Sequence, residues 1–283
     1  MEEIKKIREN ISKVIIGKDR TVDLLLTAVV ARGHVLLEDV PGTGKTMLAK
    51  TLAKSIDGSF ARIQFTPDLL PSDITGINYY RQKEGEFCFQ RGPVFSNIVL
   101  ADEINRATPR TQAGLLEAME ERQVSVEGVT YTLETPFLVI ATQNPLETLG
   151  TFPLPEAQMD RFLMKLSMGL PGKEEELQMM ERFLKEEPLE HICSVVTKED
   201  MIALQKKSKE VYIHPVLMEY IADLVQASRK HREVSCGVSP RGTMALLNSV
   251  RAYAVVQERD YVVPEDIKTV DRKSTRLNSS HVT

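Results

Sequence analysis

The chain has 283 residues, with 36 Lys and Arg against 40 Asp and Glu and a formal net charge of -4. With 42% hydrophobic and 27% charged residues, mixed along its length, it has the profile of a globular chain rather than a disordered one, and its size predicts one large and one small domain with a core each. The acidic balance provides no basic field for non-specific nucleic-acid binding. The three cysteines (Cys88, Cys193, Cys236) have no CxxC spacing, which excludes a disulfide framework or zinc ribbon and fits a reducing compartment. The charged N-terminus and the lack of any run of about 18 apolar residues predict no export and no membrane insertion, hence a cytoplasmic chain.

The first apolar signal is Val14-Ile15-Ile16-Gly17, a trio that reads as plain packing before the first long helix. A strand is predicted at His34–Glu38, and Gly42-Thr43-Gly44-Lys45-Thr46 follows it and opens a helix over Lys45–Ile56. A phosphate loop needs this strand, loop and helix order. Glycines let backbone amides turn inward at a helix N-terminus, Lys45 is suited to neutralise β- and γ-phosphates, and the Thr46 hydroxyl to ligate magnesium. The strict GxxxxGK[ST] pattern is incomplete because Asp39 stands where its first glycine belongs; a Gly-rich turn capping an ordinary helix is the bland alternative.

Strands are next predicted at Phe60–Phe65 and Ile98–Asp102, with Ile77–Phe89 between them reading as a hairpin around a Gly-containing turn. The apolar run Ile98–Ala101 ends in Asp102 and Glu103. One acid is suited to hold Mg²⁺ through its hydration shell and the next to orient and deprotonate an attacking water, although a strand ending in two acids is also an ordinary solvated strand end. Pro109–Arg122 reads as a helix and Val124–Leu133 as a second hairpin. Glu84, Glu86 and Glu127 leave the hairpins without a basic groove. The strand Phe137–Thr142 leads into Gln143-Asn144-Pro145, where Asn144 either initiates a turn or reaches a γ-phosphate. A fifth strand is predicted at Arg161–Leu166.

After Leu166 the strand signal almost vanishes. Helices are predicted at Glu174–Lys185, Lys198–Lys209, Pro215–His231, Pro240–Gln257 and Pro264–Val270, and LPGKEE (Leu170–Glu175) marks the boundary and a hinge. The residues 1–170 thus read as a doubly wound α/β unit with a five-stranded parallel sheet, residues 171–270 as an all-helical unit that ends early, and DRKSTRLNSSHVT (residues 271–283) as a non-native or disordered tail.

With LLEDVPGTGKT (Leu36–Thr46), RIQFTPDLLPSDITG (Arg62–Gly76), the run Gly92–Val124 containing LADEINRATPRTQAGLLEAMEE, ATQNP (Ala141–Pro145), FPLPEAQMDRF (Phe152–Phe162) and VSPRG (Val238–Gly242), the chain resembles the AAA+ ATPases, and among them the MoxR family. The resemblance covers nearly the whole chain. It implies a P-loop NTPase core with a C-terminal helical lid, binding and hydrolysis of ATP with Mg²⁺, and an intact loop despite Asp39, since EDVPG is common in the family. It makes Lys45 and Thr46 the Walker A pair within the nucleotide-binding stretch Pro41, Gly42, Thr43, Gly44, Lys45, Thr46 and Met47. Asp102 and Glu103 become the Walker B pair, with Thr46 and Asp102 on the metal, and Asn144 the sensor-one residue. Arg161, otherwise a salt bridge at a strand start, becomes an arginine finger inserted into the neighbouring subunit's site. Arg241, otherwise a surface arginine, becomes a sensor-two residue that contacts nucleotide from the lid. Ile15, Ile16 and Gly17 become an adenine-pocket segment. The hairpins at 77–89 and 124–133 become inserts that face a substrate or partner. The family further implies a ring, commonly a hexamer, and a chaperone-like role with partners bearing a von Willebrand A domain. A magnesium or cobalt chelatase ATPase subunit, or a slow nucleotide-dependent switch or scaffold, are the other readings.

Overall fold

The computed structural model describes residues 2–40, 42–83, 85–144, 150–184, 188–231 and 237–271. The tail expected over residues 271–283 to be non-native or disordered lies outside them from residue 272 on, as does Pro41, whereas Asp271 closes the last helix.

Two helices precede the sheet, α1 (Glu2–Ser12) and α2 (Asp19–Val30). The first was not expected from its charged sequence, yet Ile4, Ile7 and Ile11 recur at helical spacing and are fully buried, which is how a charged segment docks through one apolar stripe. The core then runs β1 (Val35–Glu38), α3 (Lys45–Ser55), β2 (Phe60–Gln64), the short α4 (Pro71–Thr75), β3 (Gly76–Arg81), β4 (Glu86–Arg91), β5 (Ile98–Asp102), α5 (Pro109–Glu121), β6 (Gln123–Val126), β7 (Val129–Thr132), β8 (Leu138–Gln143), α6 (Glu156–Met159) and β9 (Met164–Leu166). Five strands form one parallel sheet in the order β2-β5-β8-β1-β9, the doubly wound arrangement that the near-continuous apolar runs demand, since both faces are covered by helices. The strand expected over Arg161–Leu166 is shorter than predicted. Residues before Met164 turn instead, with the amides of Arg161 and Phe162 donating to the carbonyls of Gln158 and Met159 at 3.2 and 3.0 Å.

Both expected hairpins form as separate two-stranded sheets, β3 with β4 and β6 with β7. They lean on each other: Phe89 of β4 stacks on Tyr131 of β7 with ring centroids 4.2 Å apart, and Asn78 Nδ2 donates to Glu127 Oε2 at 2.7 Å. Tyr80 and Phe87 remain exposed on the outer side.

The C-terminal helices are α7 (Lys173–Phe183), α8 (Lys198–Lys207), α9 (Pro215–Lys230), α10 (Pro240–Val256) and α11 (Pro264–Asp271). Three of them start with proline, and α9 and α10 do so after an extended N-cap residue whose side chain caps the helix, as in α10, where Ser239 Oγ accepts from the Gly242 amide at 3.1 Å. Two apolar clusters lie on opposite faces of the sheet. One cluster joins α1, α2, α3 and one sheet face to Met201, Leu204, Ile221, Leu246 and Val250 of the C-terminal helices; the other fills the opposite face under α5, with Phe65, Leu116 and Phe162. Helix α10 packs antiparallel on α2: Gln257, just past its end, donates to Asp23 Oδ2 at 2.9 Å near the start of α2, and Arg8 bridges both through Asp23 Oδ1 at 2.8 Å and the Val256 carbonyl at 3.1 Å. Burial of the apolar face of α10 on α2 therefore decides where its first turn lies.

Candidate active site

The strands β1, β5 and β8 are adjacent and parallel, so their carboxyl ends lie along one edge of the sheet, where α/β folds of this kind hold ligands. A cleft of about 490 Å³ opens there, lined by Asp39, the loop Gly42–Met47, Arg62, Gln64, Asp102, Glu103, Thr142, Gln143 and Asn144. Gly42 and Gly44 have φ of 84° and 85°, a left-handed backbone that glycine adopts at little cost and that directs successive amides the same way. Gly44 is the N-cap of α3 and carries no side-chain cap, leaving the positive end of the helix facing the cleft.

The Lys45 ammonium donates to the carbonyls of Asp39 and Val40, both at 3.2 Å, and so lies along the mouth of the loop. Asp102 Oδ1 accepts from Thr142 Oγ1 at 2.6 Å and its Oδ2 from Arg62 Nη2 at 2.6 Å. The register that faces Gln64 of β2 with Asp102 of β5 also brings Gln64 Nε2 to Glu103 Oε2 at 2.7 Å, and Arg106 Nε is 3.2 Å from the same oxygen. Glu103 itself has φ 56° and ψ 49°, a left-handed conformation that costs a non-glycine residue about 1–2 kcal/mol. Its amide donates to Thr142 Oγ1 at 2.8 Å, so a single hydroxyl connects both acids to β8. Asn144 is buried on the same edge.

Asp39 is 7% exposed. Its carboxylate accepts from Ser167 Oγ at 2.8 Å, from the Met168 amide at 2.6 Å and from the Gly169 amide at 3.0 Å. The side chain at the missing glycine position thus ties the start of the phosphate loop to the segment leading out of β9 toward the lid. Asp39→Gly would complete the formal motif, yet it is expected to lower stability by roughly 2–4 kcal/mol, since it leaves a buried and a partly buried amide without their charged acceptor; a melting curve of the variant that overlays the parent would contradict this.

Of the residues expected at a nucleotide site, Gly42, Thr43, Gly44, Lys45, Thr46, Met47, Asp102, Glu103 and Asn144 share this cleft. Ile15, Ile16 and Gly17 do not line it. Ile15 packs into the apolar core beside α1 and α2, and a Cβ on Gly17 would fall 1.8 Å from Glu175 Oε1 of α7. Arg161 and Arg241 also lie elsewhere: Arg161 Nε is 2.7 Å from Glu120 Oε2, and Arg241 Nη1 is 2.6 Å from Glu120 Oε1. Arg241 therefore does not reach its own cleft, because the antiparallel packing of α10 on α2 puts the first turn of α10 at the amino edge of the sheet. Sequence reasoning overlooked Arg62, Gln64, Thr142 and Glu120. The first two stand two residues apart on β2, where alternation sets them on one face, but only the pairing of β2 with β5 brings them to the acids.

The profile of the ATPase family associated with various cellular activities (AAA) matches residues 34–164, and that of the AAA lid domain residues 226–272. The chain is 54% identical over 263 residues to protein YeaC of Bacillus subtilis, covering 93% of this chain and 82% of that one. It is 42% identical over 266 residues to chaperone MoxR1 of Mycobacterium tuberculosis, covering 91% of this chain and 70% of that one. This chain belongs to the MoxR family of AAA+ ATPases. A crystal structure of an ATPase candidate from Cytophaga hutchinsonii superposes with a TM-score of 0.90 at 43% identity, over 97% of this chain and 87% of that one, and with the two matched profiles this makes the fold an α/β P-loop AAA+ core with a helical lid. Among the described residues no helix is long and apolar enough to cross a membrane.

Proposed function

We propose that this MoxR-family chain hydrolyses ATP with magnesium as one subunit of a hexameric ring, and uses the hydrolysis in a chaperone-like way to mature or activate partner proteins. The observation that carries the reading is the gathering of Lys45, Thr46, Asp102, Glu103 and Asn144 around one cleft at a helix N-terminus. In it the loop amides and Lys45 bind the phosphates, exchanging the Lys45 contacts to the Asp39 and Val40 carbonyls for phosphate oxygens. Asn144 orients the γ-phosphate and the attacking water, and Glu103 takes that water's proton.

The donors fit magnesium. The Thr46 hydroxyl would be a hard oxygen ligand and the Asp102 carboxylate would accept from the ion's waters, which suffices for a cation that keeps several waters and takes the rest of its ligands from phosphates. Asp102 Oδ2 is held by Arg62, so Asp102 acts on the ion's water shell. Bound there, the ion would offset charge on the transferring phosphoryl group.

Arg161 lies three residues before Met164, which pairs with Val35 at the start of β1. It is thus at the edge of the sheet opposite its own cleft, with its side chain 30% exposed, which supports its use on a neighbour's ATP. The exposed Tyr80 and Phe87 of the paired hairpins support a client-facing surface, and partners with a von Willebrand A domain are the proposed clients.

Steady-state ATP hydrolysis measured against protein concentration tests the proposal. Turnover per subunit is expected to rise with concentration and to vanish when magnesium is chelated. Tight ATP binding with no turnover at any concentration would replace this reading with that of a nucleotide-dependent switch.

A further inference from the structure

Three elements distant in sequence meet at Glu120. The helix α5 begins just past the carboxyl end of β5 and runs back along the sheet, so its last turn lies at the amino edge, with Glu120 about 16 Å along the axis from Pro109 at about 1.5 Å per residue. Arg161 arrives at the same edge before β9, and Arg241 arrives from the first turn of α10. The carboxylate divides between them, one oxygen to each guanidinium, at 2.7 and 2.6 Å. The two arginines hold the Glu120 carboxyl below the usual carboxylate range, Arg161 more than Arg241.

Two guanidiniums brought together without an acid repel each other, and with one acid they retain a net positive charge. Each contact uses one of the five N–H donors of a guanidinium, so most of both planar forks stays available for the phosphate geometry that arginine matches. The Arg241 side chain is 56% exposed and the Glu120 side chain 28% exposed; ion pairs in such surroundings add little to folding stability. What the arrangement does contribute is geometry, because one side chain sets the distance between a core arginine and a lid arginine.

We propose that Glu120 is a positioning residue that holds Arg161 and Arg241 as a pair and presents both to the ATP bound by a neighbouring copy of this chain. The inference rests on the reading of Arg161 as acting in trans and extends it in two ways. Arg241 serves the neighbour's nucleotide and not its own, and the lid is coupled to the arginine finger through Glu120, so that a lid movement changes both arginines at the neighbour's phosphates.

The test uses the full chain and mixes of two variants. Glu120→Ala alone is expected to lower kcat by about 10- to 100-fold, the cost of misplacing catalytic groups by about an ångström, with the KM for ATP and the melting temperature nearly unchanged. Glu103→Gln, inactive at its own site, keeps an intact Arg161–Glu120–Arg241 group. Equal mixing of the two is therefore expected to restore turnover above the sum of the parts, since a Glu120→Ala copy has a complete cleft and receives the pair from its neighbour. Glu120→Gln, which preserves size, should lose activity and be rescued in the same way, and it serves if the alanine variant fails to fold. The mix of Arg161→Ala with Glu103→Gln reads the trans arrangement alone. If that control is rescued and the Glu120 variants are not, or if the Glu120 variants turn over like the parent, the positioning role is wrong while the trans finger stands. If neither mix is rescued, the trans arrangement itself fails and the role of Glu120 with it.

Discussion

Glu103→Gln is expected to lower ATP turnover by at least ~10²-fold while ATP binding stays intact, the size of effect that removal of a general base produces. The substitution conserves shape, and the carboxamide oxygen can still accept from Gln64 Nε2, which lies 2.7 Å from Glu103 Oε2. Its amide would also still reach the Thr142 hydroxyl from the left-handed conformation at this position. What is lost is the negative charge that takes a proton from water, together with the ion pair to Arg106. Binding depends on other groups, the loop amides and Lys45, so equilibrium titration with ATP should give the parent affinity. A variant that retains turnover to within tenfold would show that another group deprotonates the water, and a variant that no longer binds ATP would show that Glu103 supports the loop instead.

The second large effect concerns stability in acid. His34 is fully enclosed between β8 and the end of α5. Its Nδ1 accepts from the Val139 amide at 2.9 Å, which leaves Nε2 to donate to the Met119 carbonyl at 3.0 Å, so both ring nitrogens are satisfied by the neutral ring. Burial above all, and the positive charge of Arg122 after it, push its pKa from 6.5 down to about 3. The unfolded chain therefore takes up a proton near pH 6.5 while the folded chain resists until about pH 3. This contribution to stability is complete above pH 6.5 and is lost as pH falls toward 3, at about 1.4 kcal/mol per pH unit and on the order of 5 kcal/mol in all. His34→Gln should be less stable than the parent at pH 8, but the gap is expected to narrow by about 2 kcal/mol at pH 5, as read from denaturant unfolding at both values. Parallel pH profiles for parent and variant would rule His34 out as the source.

Much of the site was legible in the residues themselves because the chemistry is local. A phosphate loop needs a strand, a left-handed glycine pair and a helix start, and these are consecutive in Val35–Ser55. The acids at the end of β5 and the Asn after β8 were likewise readable, since parallel strands must end on one edge. The amphipathic α1 was missed because its charges outnumber its apolar residues, although Ile4, Ile7 and Ile11 carry the period.

The sequence alone thus determined the five-stranded parallel sheet, the helical C-terminal half and the residues that gather in the cleft, all through short-range period and turn chemistry. Only the tertiary structure decided that Arg62 and Gln64 face the paired acids, that Asp39 bonds the loop to the segment following β9, and that Arg241 lies beside Arg161 on Glu120. The physical reason is the same in each case. Which strand neighbours which, and how α10 turns against α2, follows from burying apolar faces contributed by segments far apart in the chain, and such long-range choices leave no mark in the local spacing of residues.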